Sequence, residues 1–243
     1  MMQFRSMFNM GLFKNLSHYL FGMLLIAPHM RADIGADVCA GTKAYCVAHK
    51  NARKTPGSLV NVAIAIPSII LDIKYATTDN FTGKKVYSRP VCYLRRAVAK
   101  ALRQVQQDLR KQGLGLKVWD GYRRHDVQKI FWKLCPDPRY VGDPAKGGVH
   151  NRGAAVDVTL VSLSTGKELV MPSQFDDFSE KAHCNYSTMT PEAAKNCKLL
   201  EDAMTKRGFK VFKSEWWHYN FIGWQHYPLL NISFENLAKM VQK

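Results

Sequence analysis

Several absences narrow the class of this chain before any motif is considered. It has no Cys-x-x-Cys pair, so the usual zinc-finger and dithiol signatures are missing. No internal repeat and no low-complexity tract occurs, and with 47% hydrophobic and 22% charged residues the composition fits neither a disordered nor a fibrous chain. No apolar run reaches the roughly 20 residues that a membrane-crossing helix needs. Acidic residues are scarce: 19 Asp and Glu stand against 35 Lys and Arg, for a formal charge of +16. Such an excess suits nucleic acid, an anionic membrane surface or a cell-wall polymer. The basic residues are scattered along the sequence and no nucleic-acid recognition motif accompanies them, so nucleic acid is not an expected partner.

The 243 residues suit one domain and suffice for a sizeable core. Residues 1–32 stand apart, with Arg5, Lys14 and Arg31 but no acid, and an apolar core at residues 19–28 (YLFGMLLIAP). A basic leader before a short apolar core reads as a secretory signal, which leaves 33–243 as the mature domain in the periplasm or outside the cell. That domain keeps 32 basic against 19 acidic residues. In an exported chain the even set Cys39, Cys46, Cys92, Cys135, Cys184 and Cys197 suggests disulfides, with Cys39–Cys46 and Cys184–Cys197 the first loops to expect.

Along the mature chain, residues 59–70 are apolar and β-branched, as in a buried strand or extended edge. Leu94, Ala97, Val98, Ala101, Leu102, Val105 and Leu109 recur at helical spacing, and Gly113 supplies a stop. Residues 116–119 read as a strand, 126–134 as a helix and 153–160 as a core strand. Thr190 and Pro191 predict a helix start, with an apolar face of Ala194, Cys197, Leu200 and Met204. Residues 209–221 have strand composition, and 234–241 close the chain as a short helix. Strands and helices mix without regular βαβ alternation. The expected class is therefore α+β, a small, mostly antiparallel sheet flanked by helices.

Two segments carry potential chemistry: His150-Asn-Arg-Gly-Ala-Ala-Val-Asp157 and Glu215-Trp-Trp-His218. Together they bring two imidazoles and two carboxylates from distant parts of the chain. Two His plus one carboxylate is a ligand set of catalytic zinc, and the second carboxylate can then act as general base toward the attacking water. Taken singly, each residue has a plainer reading. His150 suits a loop, Asp157 a strand end, and His218 a hydrogen-bonded place in the aromatic core of Trp216, Trp217, Tyr219 and Phe221.

Jointly these segments resemble the D-alanyl-D-alanine dipeptidases, VanX-like zinc enzymes of the LAS peptidase group. That family is marked by Ser-x-His-x-x-Gly-x-Ala-x-Asp and then Glu-x-Trp-His or Glu-Trp-Trp-His; here Gly148-Val-His150-Asn-Arg-Gly153-Ala-Ala155-Val-Asp157 precedes Glu215-Trp-Trp-His218. Tyr75-Ala-Thr-Thr-Asp-Asn-Phe-Thr-Gly83, Trp119-Asp-Gly-Tyr-Arg123 and Phe175-Asp176 also look like family segments. The resemblance implies one Zn2+ held by His150, Asp157 and His218, with Glu215 as general base and acid. It implies Arg123 beside the scissile carbonyl, and Tyr75 with Asp176 on the free ammonium of a dipeptide substrate; Asp177 is the alternative to Asp176. The implied reaction is hydrolysis of D-Ala-D-Ala in peptidoglycan turnover. The neighbouring alternative is a D,D- or L,D-carboxypeptidase or endopeptidase acting on longer wall peptides.

The chain departs from the pattern at two places. Gly148 replaces a serine that lines the pocket in the family, and Arg124 replaces a proline after the Tyr-Arg pair. The spacing raises a geometric demand as well. Glu215 and His218 are three apart, so a regular strand would aim them at opposite faces, and a bend near Trp217 is expected.

Overall fold

A computed structural model of the protein describes residues 59–241. The expected leader and the Cys39–Cys46 pair lie outside them. The chain begins with β1 (Leu59–Asn61) and runs straight into a single helical turn, α1 (Val62–Ala65). Asn61 Oδ1 accepts from the Ala63 N–H at 2.9 Å and so caps that turn. Pro67 then disfavours helix in the residue before it, and β2 (Ile70–Leu71) follows. The continuous strand expected over 59–70 is therefore broken in two by a cap and a proline.

After β3 (Tyr93–Arg95), α2 (Arg96–Arg110) buries Val98, Leu102, Val105 and Leu109, one stripe of an amphipathic helix. β4 (Leu114–Asp120), α3 (His125–Leu134) and β5 (Ala155–Ser162) come next. α4 (Pro191–Thr205) opens as the sequence predicts, with Thr190 Oγ1 accepting from the Ala193 N–H at 3.2 Å and Pro191 in the first turn. Its buried face is turned from the expected one: Ala193, Asn196, Leu200 and Met204 point inward and Ala194 is exposed. Asn196 earns an inward place because its Nδ2 donates to the Val170 carbonyl. The hairpin β6 (Phe209–Phe212) and β7 (Glu215–Phe221), then α5 (Phe234–Val241), complete the described chain.

Five strands form one sheet in the order β2-β4-β5-β7-β6, antiparallel except for the parallel pairing of β2 with β4. β1 and β3 make a separate antiparallel pair. The expected α+β architecture holds. α2 and α4 pack on each other and on the sheet, and the core between them is apolar, with Leu102, Leu116, Val158, Leu160 and Leu200 fully buried. No helix among the described residues is long and apolar enough to cross a membrane.

Cys184 and Cys197 are free thiols that line one small cavity, so the expected disulfide between them is absent. Burial pushes their thiols up to about 11 and about 12, which keeps the thiolate that disulfide exchange requires scarce.

Candidate metal centre

Sheet irregularities build the site. Where β4 meets β5, Val118 faces Val158 but Asp120 faces Asp157, so Trp119 is an extra residue and β4 kinks. A larger irregularity lies in the hairpin. Val211 pairs with Tyr219, yet the next residue, Phe212, pairs with Glu215. Trp216, Trp217 and His218 therefore arc out between partners that are neighbours on β6. That arc is the bend the spacing demands, and it brings Glu215 Oε2 to 3.7 Å from His218 Nδ1.

Asp157 and His218 face each other across β5 and β7, so their side chains share one face of the sheet. His150 arrives from a separate turn, His150–Arg152, which Gly153 ends at a left-handed φ of 67°. A Cβ on Gly153 would lie 2.6 Å from Leu59 Cδ2. The glycine is thus required by its backbone angle and by its close contact with Leu59.

Three atoms converge. His150 Nε2 lies 3.3 Å from Asp157 Oδ1 and 3.1 Å from His218 Nδ1, and the last two are 3.0 Å apart. Atoms bound at 2.0–2.1 Å around one tetrahedral ion stand roughly 3.3–3.4 Å from each other. The His–Asp–His group therefore fits a metal ion after shifts of a few tenths of an ångström, and among the described residues it is the group able to hold one. Burial acts to raise the Asp157 pKa, but the charge and hydrogen bonds of His150 and His218 outweigh it and hold the carboxyl well below the usual range. Its acceptor oxygens are thus available. Glu215 is 8% exposed, and burial pushes its carboxyl up to about 8.

The same cavity, about 170 Å³, is lined by Tyr75, Arg123, Asp176, Gly148, Trp217 and the cluster. Arg123 is no surface ion pair. It is 8% exposed, with Nε and Nη2 donating to Asp120 Oδ2 at 3.1 and 2.8 Å and Nη1 donating to Gln128 Oε1 at 3.1 Å. Its guanidinium also lies 4.6 Å from the Phe131 ring centroid. Tyr75 Oη donates to Asp176 Oδ1 at 2.9 Å, and the Phe81 N–H donates to Oδ2 at 3.1 Å. Burial nevertheless pushes Asp176 up to about 7. Asp176 has φ 59°, the single positive value outside glycine among the described residues. Asp177 instead accepts from the Ser179 N–H in a turn. Of the two adjacent aspartates, Asp176 is the one in the cavity.

Gly148 lines the cavity where the family carries serine, and a Cβ there would meet Asn151 Oδ1 at 3.1 Å. Arg124 stands just before the first turn of α3 with φ −56°, the angle a proline would impose, so the backbone keeps that geometry without the ring. Three site residues carry no sequence reading. Asp120 stands in the quoted Asp-Gly-Tyr-Arg stretch and anchors Arg123, while also accepting from Tyr87 Oη at 2.7 Å. Gln128 ties Arg123 to the rim through its bond to the Gly142 carbonyl, and nothing in its spacing foretells that. Asn220 lies two residues beyond His218 on a strand, the spacing that puts side chains on one face, and that signal was there to be used.

A family model described as D-Ala-D-Ala dipeptidase, peptidase M15, matches residues 56–239. The D-alanyl-D-alanine dipeptidase of Escherichia coli (strain K12) is 38% identical over 176 residues, which is 72% of this chain and 91% of that protein. The D-alanyl-D-alanine dipeptidase of Enterococcus faecalis (strain ATCC 700802 / V583) is 35% identical over 177 residues, 65% of this chain and 87% of its own. Among solved structures, an LdcB LD-carboxypeptidase aligns over 72% of both chains at 22% identity and a TM-score of 0.42, too loose a likeness to bear on function. The family match over 56–239, with relatives covered nearly end to end, makes this chain a metallopeptidase and a member of the M15 D-Ala-D-Ala dipeptidase family.

Proposed function

We propose that the protein is a zinc-dependent D-alanyl-D-alanine dipeptidase, in which His150, Asp157 and His218 hold one ion and Glu215 is the general base and acid. The observation that carries this reading is the convergence of His150 Nε2, Asp157 Oδ1 and His218 Nδ1 within 3.3 Å, with Glu215 Oε2 beside them. Zinc, when bound, supplies a Lewis acid and lowers the pKa of water from 15.7 to about 7. The protein's own groups do the rest. Glu215 takes a proton from the attacking water on a carboxylate oxygen and passes it to the leaving amine. A carboxyl that burial holds near 8 keeps a proton readily, and a cation beside it pulls that value back toward neutrality. Two-way transfer works best from a group poised near the working pH.

Arg123, fixed by Asp120 and Gln128, offers a guanidinium already in position to stabilise the oxyanion of the tetrahedral intermediate. Tyr75 and Asp176 receive the free ammonium of the dipeptide. The ammonium supplies Asp176 with the counter-charge that its buried carboxylate lacks. An acylated amine would carry none, and would leave Asp176 buried and unpaired. That is the physical basis for preferring dipeptides to longer wall peptides. Residues 1–32 read as a secretory signal, so the enzyme works in the periplasm or outside the cell, on fragments released in peptidoglycan turnover.

The test is release of free alanine by the zinc-loaded protein from D-Ala-D-Ala, from L-Ala-L-Ala and from N-acetyl-D-Ala-D-Ala. Turnover of the first alone is expected. No release from D-Ala-D-Ala at any pH would end the dipeptidase reading. Equal release from the acetylated form would replace it with a carboxypeptidase acting on longer peptides.

A further inference from the structure

We infer that Asn220 decides which nitrogen of His218 faces the ion, and so acts as a positioning residue for metal binding. The inference rests on the zinc reading above. The two histidines of the cluster present different ring nitrogens and are held by different groups. His150 offers Nε2, while its Nδ1 lies 2.6 Å from the Gly121 carbonyl oxygen. A carbonyl can only accept, so Nδ1 carries the proton and the Nε2 lone pair faces the cluster. His218 is turned the other way. Its Nδ1 faces Asp157 Oδ1 at 3.0 Å and His150 Nε2 at 3.1 Å, and its Nε2 lies 2.9 Å from Asn220 Oδ1.

An acceptor at Nε2 holds the proton there and leaves the Nδ1 lone pair for the ion. Asn220 can do this because it lies two residues further along β7, on the same face as His218. Its backbone is also fixed on both sides, opposite Ala155 on β5 and Lys210 on β6. The difference between the two histidines has a practical consequence. The group that orients His150 is main chain and cannot be removed by substitution, whereas the group that orients His218 is a side chain and can.

Zinc affinity measured by chelator competition on the full protein, its Asn220→Leu variant and its Asn220→Asp variant tests the inference. Leucine keeps the volume and removes the acceptor, and affinity should fall about 10–100-fold. Aspartate accepts the same proton and should retain or tighten binding. Equal affinity in the parent and a folded Asn220→Leu variant would overturn the role of Asn220 while leaving the zinc reading intact. A parent that binds no zinc would overturn both. Should the leucine variant not fold, 15N spectra of the histidine side chains in the zinc-loaded parent decide alone. Coordination through Nδ1 of His218 with a proton on Nε2 is the expected result, and coordination through Nε2 would overturn the inference.

Discussion

The His150–Asp157–His218 cluster and the Tyr75–Asp176 pair line one cavity but are carried by different kinds of structure. Asp157 and His218 sit on paired strands in the middle of the sheet, and both neighbours of each strand are hydrogen-bonded to it. Asp176 sits in a loop at a left-handed backbone angle, held by one tyrosine hydroxyl and one N–H. The difference follows from what each end must do. Three ligand atoms have to meet within a few tenths of an ångström; the strand ladder sets two of them, and the third, on the His150 turn, is pinned by the Gly121 carbonyl 2.6 Å from its Nδ1. A salt bridge to a mobile ammonium tolerates more spread, so a loop can carry it and can store the backbone strain that Asp176 shows.

The comparison can be broken at either end, and the largest effects are expected at the metal. Removal of the ion by a chelator should abolish D-alanine release and lower the melting temperature, because the ion binds only the folded chain, and added zinc should restore both. Glu215→Gln should cut kcat by about 10²–10⁴ with zinc content unchanged, measured by turnover alongside metal analysis. Arg123→Lys keeps the charge but loses the fork to Asp120, and should lower kcat/KM by roughly 10²–10³.

At the loop end the effect should fall on selectivity. Asp176→Asn should raise KM for D-Ala-D-Ala and narrow the gap between the free and N-acetylated dipeptides. The carboxylate form of Asp176 binds the ammonium, so kcat/KM of the parent should climb as pH rises through about 7, and the variant should lack that limb. Stability has the opposite sign. Asp176 is raised from 3.8, so the folded protein holds this proton more tightly than the unfolded chain does. Its contribution is therefore best at low pH and is lost as pH climbs from about 4 through about 7, a slope that Asp176→Asn should remove from the melting curve of the metal-free protein. The smallest effect belongs far from the cavity. Thr190→Ala should cost about 1 kcal/mol in thermal stability through the lost cap on α4, and leave turnover unchanged.

The legible parts of the sequence were those whose cause is local. Thr190 with Pro191 marks the start of α4 because both act on the first turn. Val98, Leu102, Val105 and Leu109 mark the buried stripe of α2 because helical period needs no partner to be visible. The inward face of α4 was misjudged because Asn196 is buried by a bond to the Val170 carbonyl, a residue 26 positions away. The strand over 59–70 failed for a nearer reason, since Asn61 caps a turn and Pro67 ends it. Within the site, His150, Asp157, Glu215 and His218 stand in recognisable strings, Asn220 shows only in its spacing two residues past His218, and Gln128 acts through contacts that no string records.

By itself, then, the sequence determined the inventory: which imidazoles, carboxylates and guanidinium were present, that strands and helices would mix, and that residues 215–218 had to bend if both ends were to reach one point. Only the tertiary structure decided that they do. The arc of Trp216, Trp217 and His218 exists because β6 pairs with Glu215 and Tyr219 through adjacent residues, a register set between strands. The choice of Nε2 on His150 and Nδ1 on His218 follows from acceptors that folding brings to the opposite nitrogens. Bond directions of that kind depend on partners distant in the chain or on the facing of a strand, and the order of residues alone does not encode where those partners will stand.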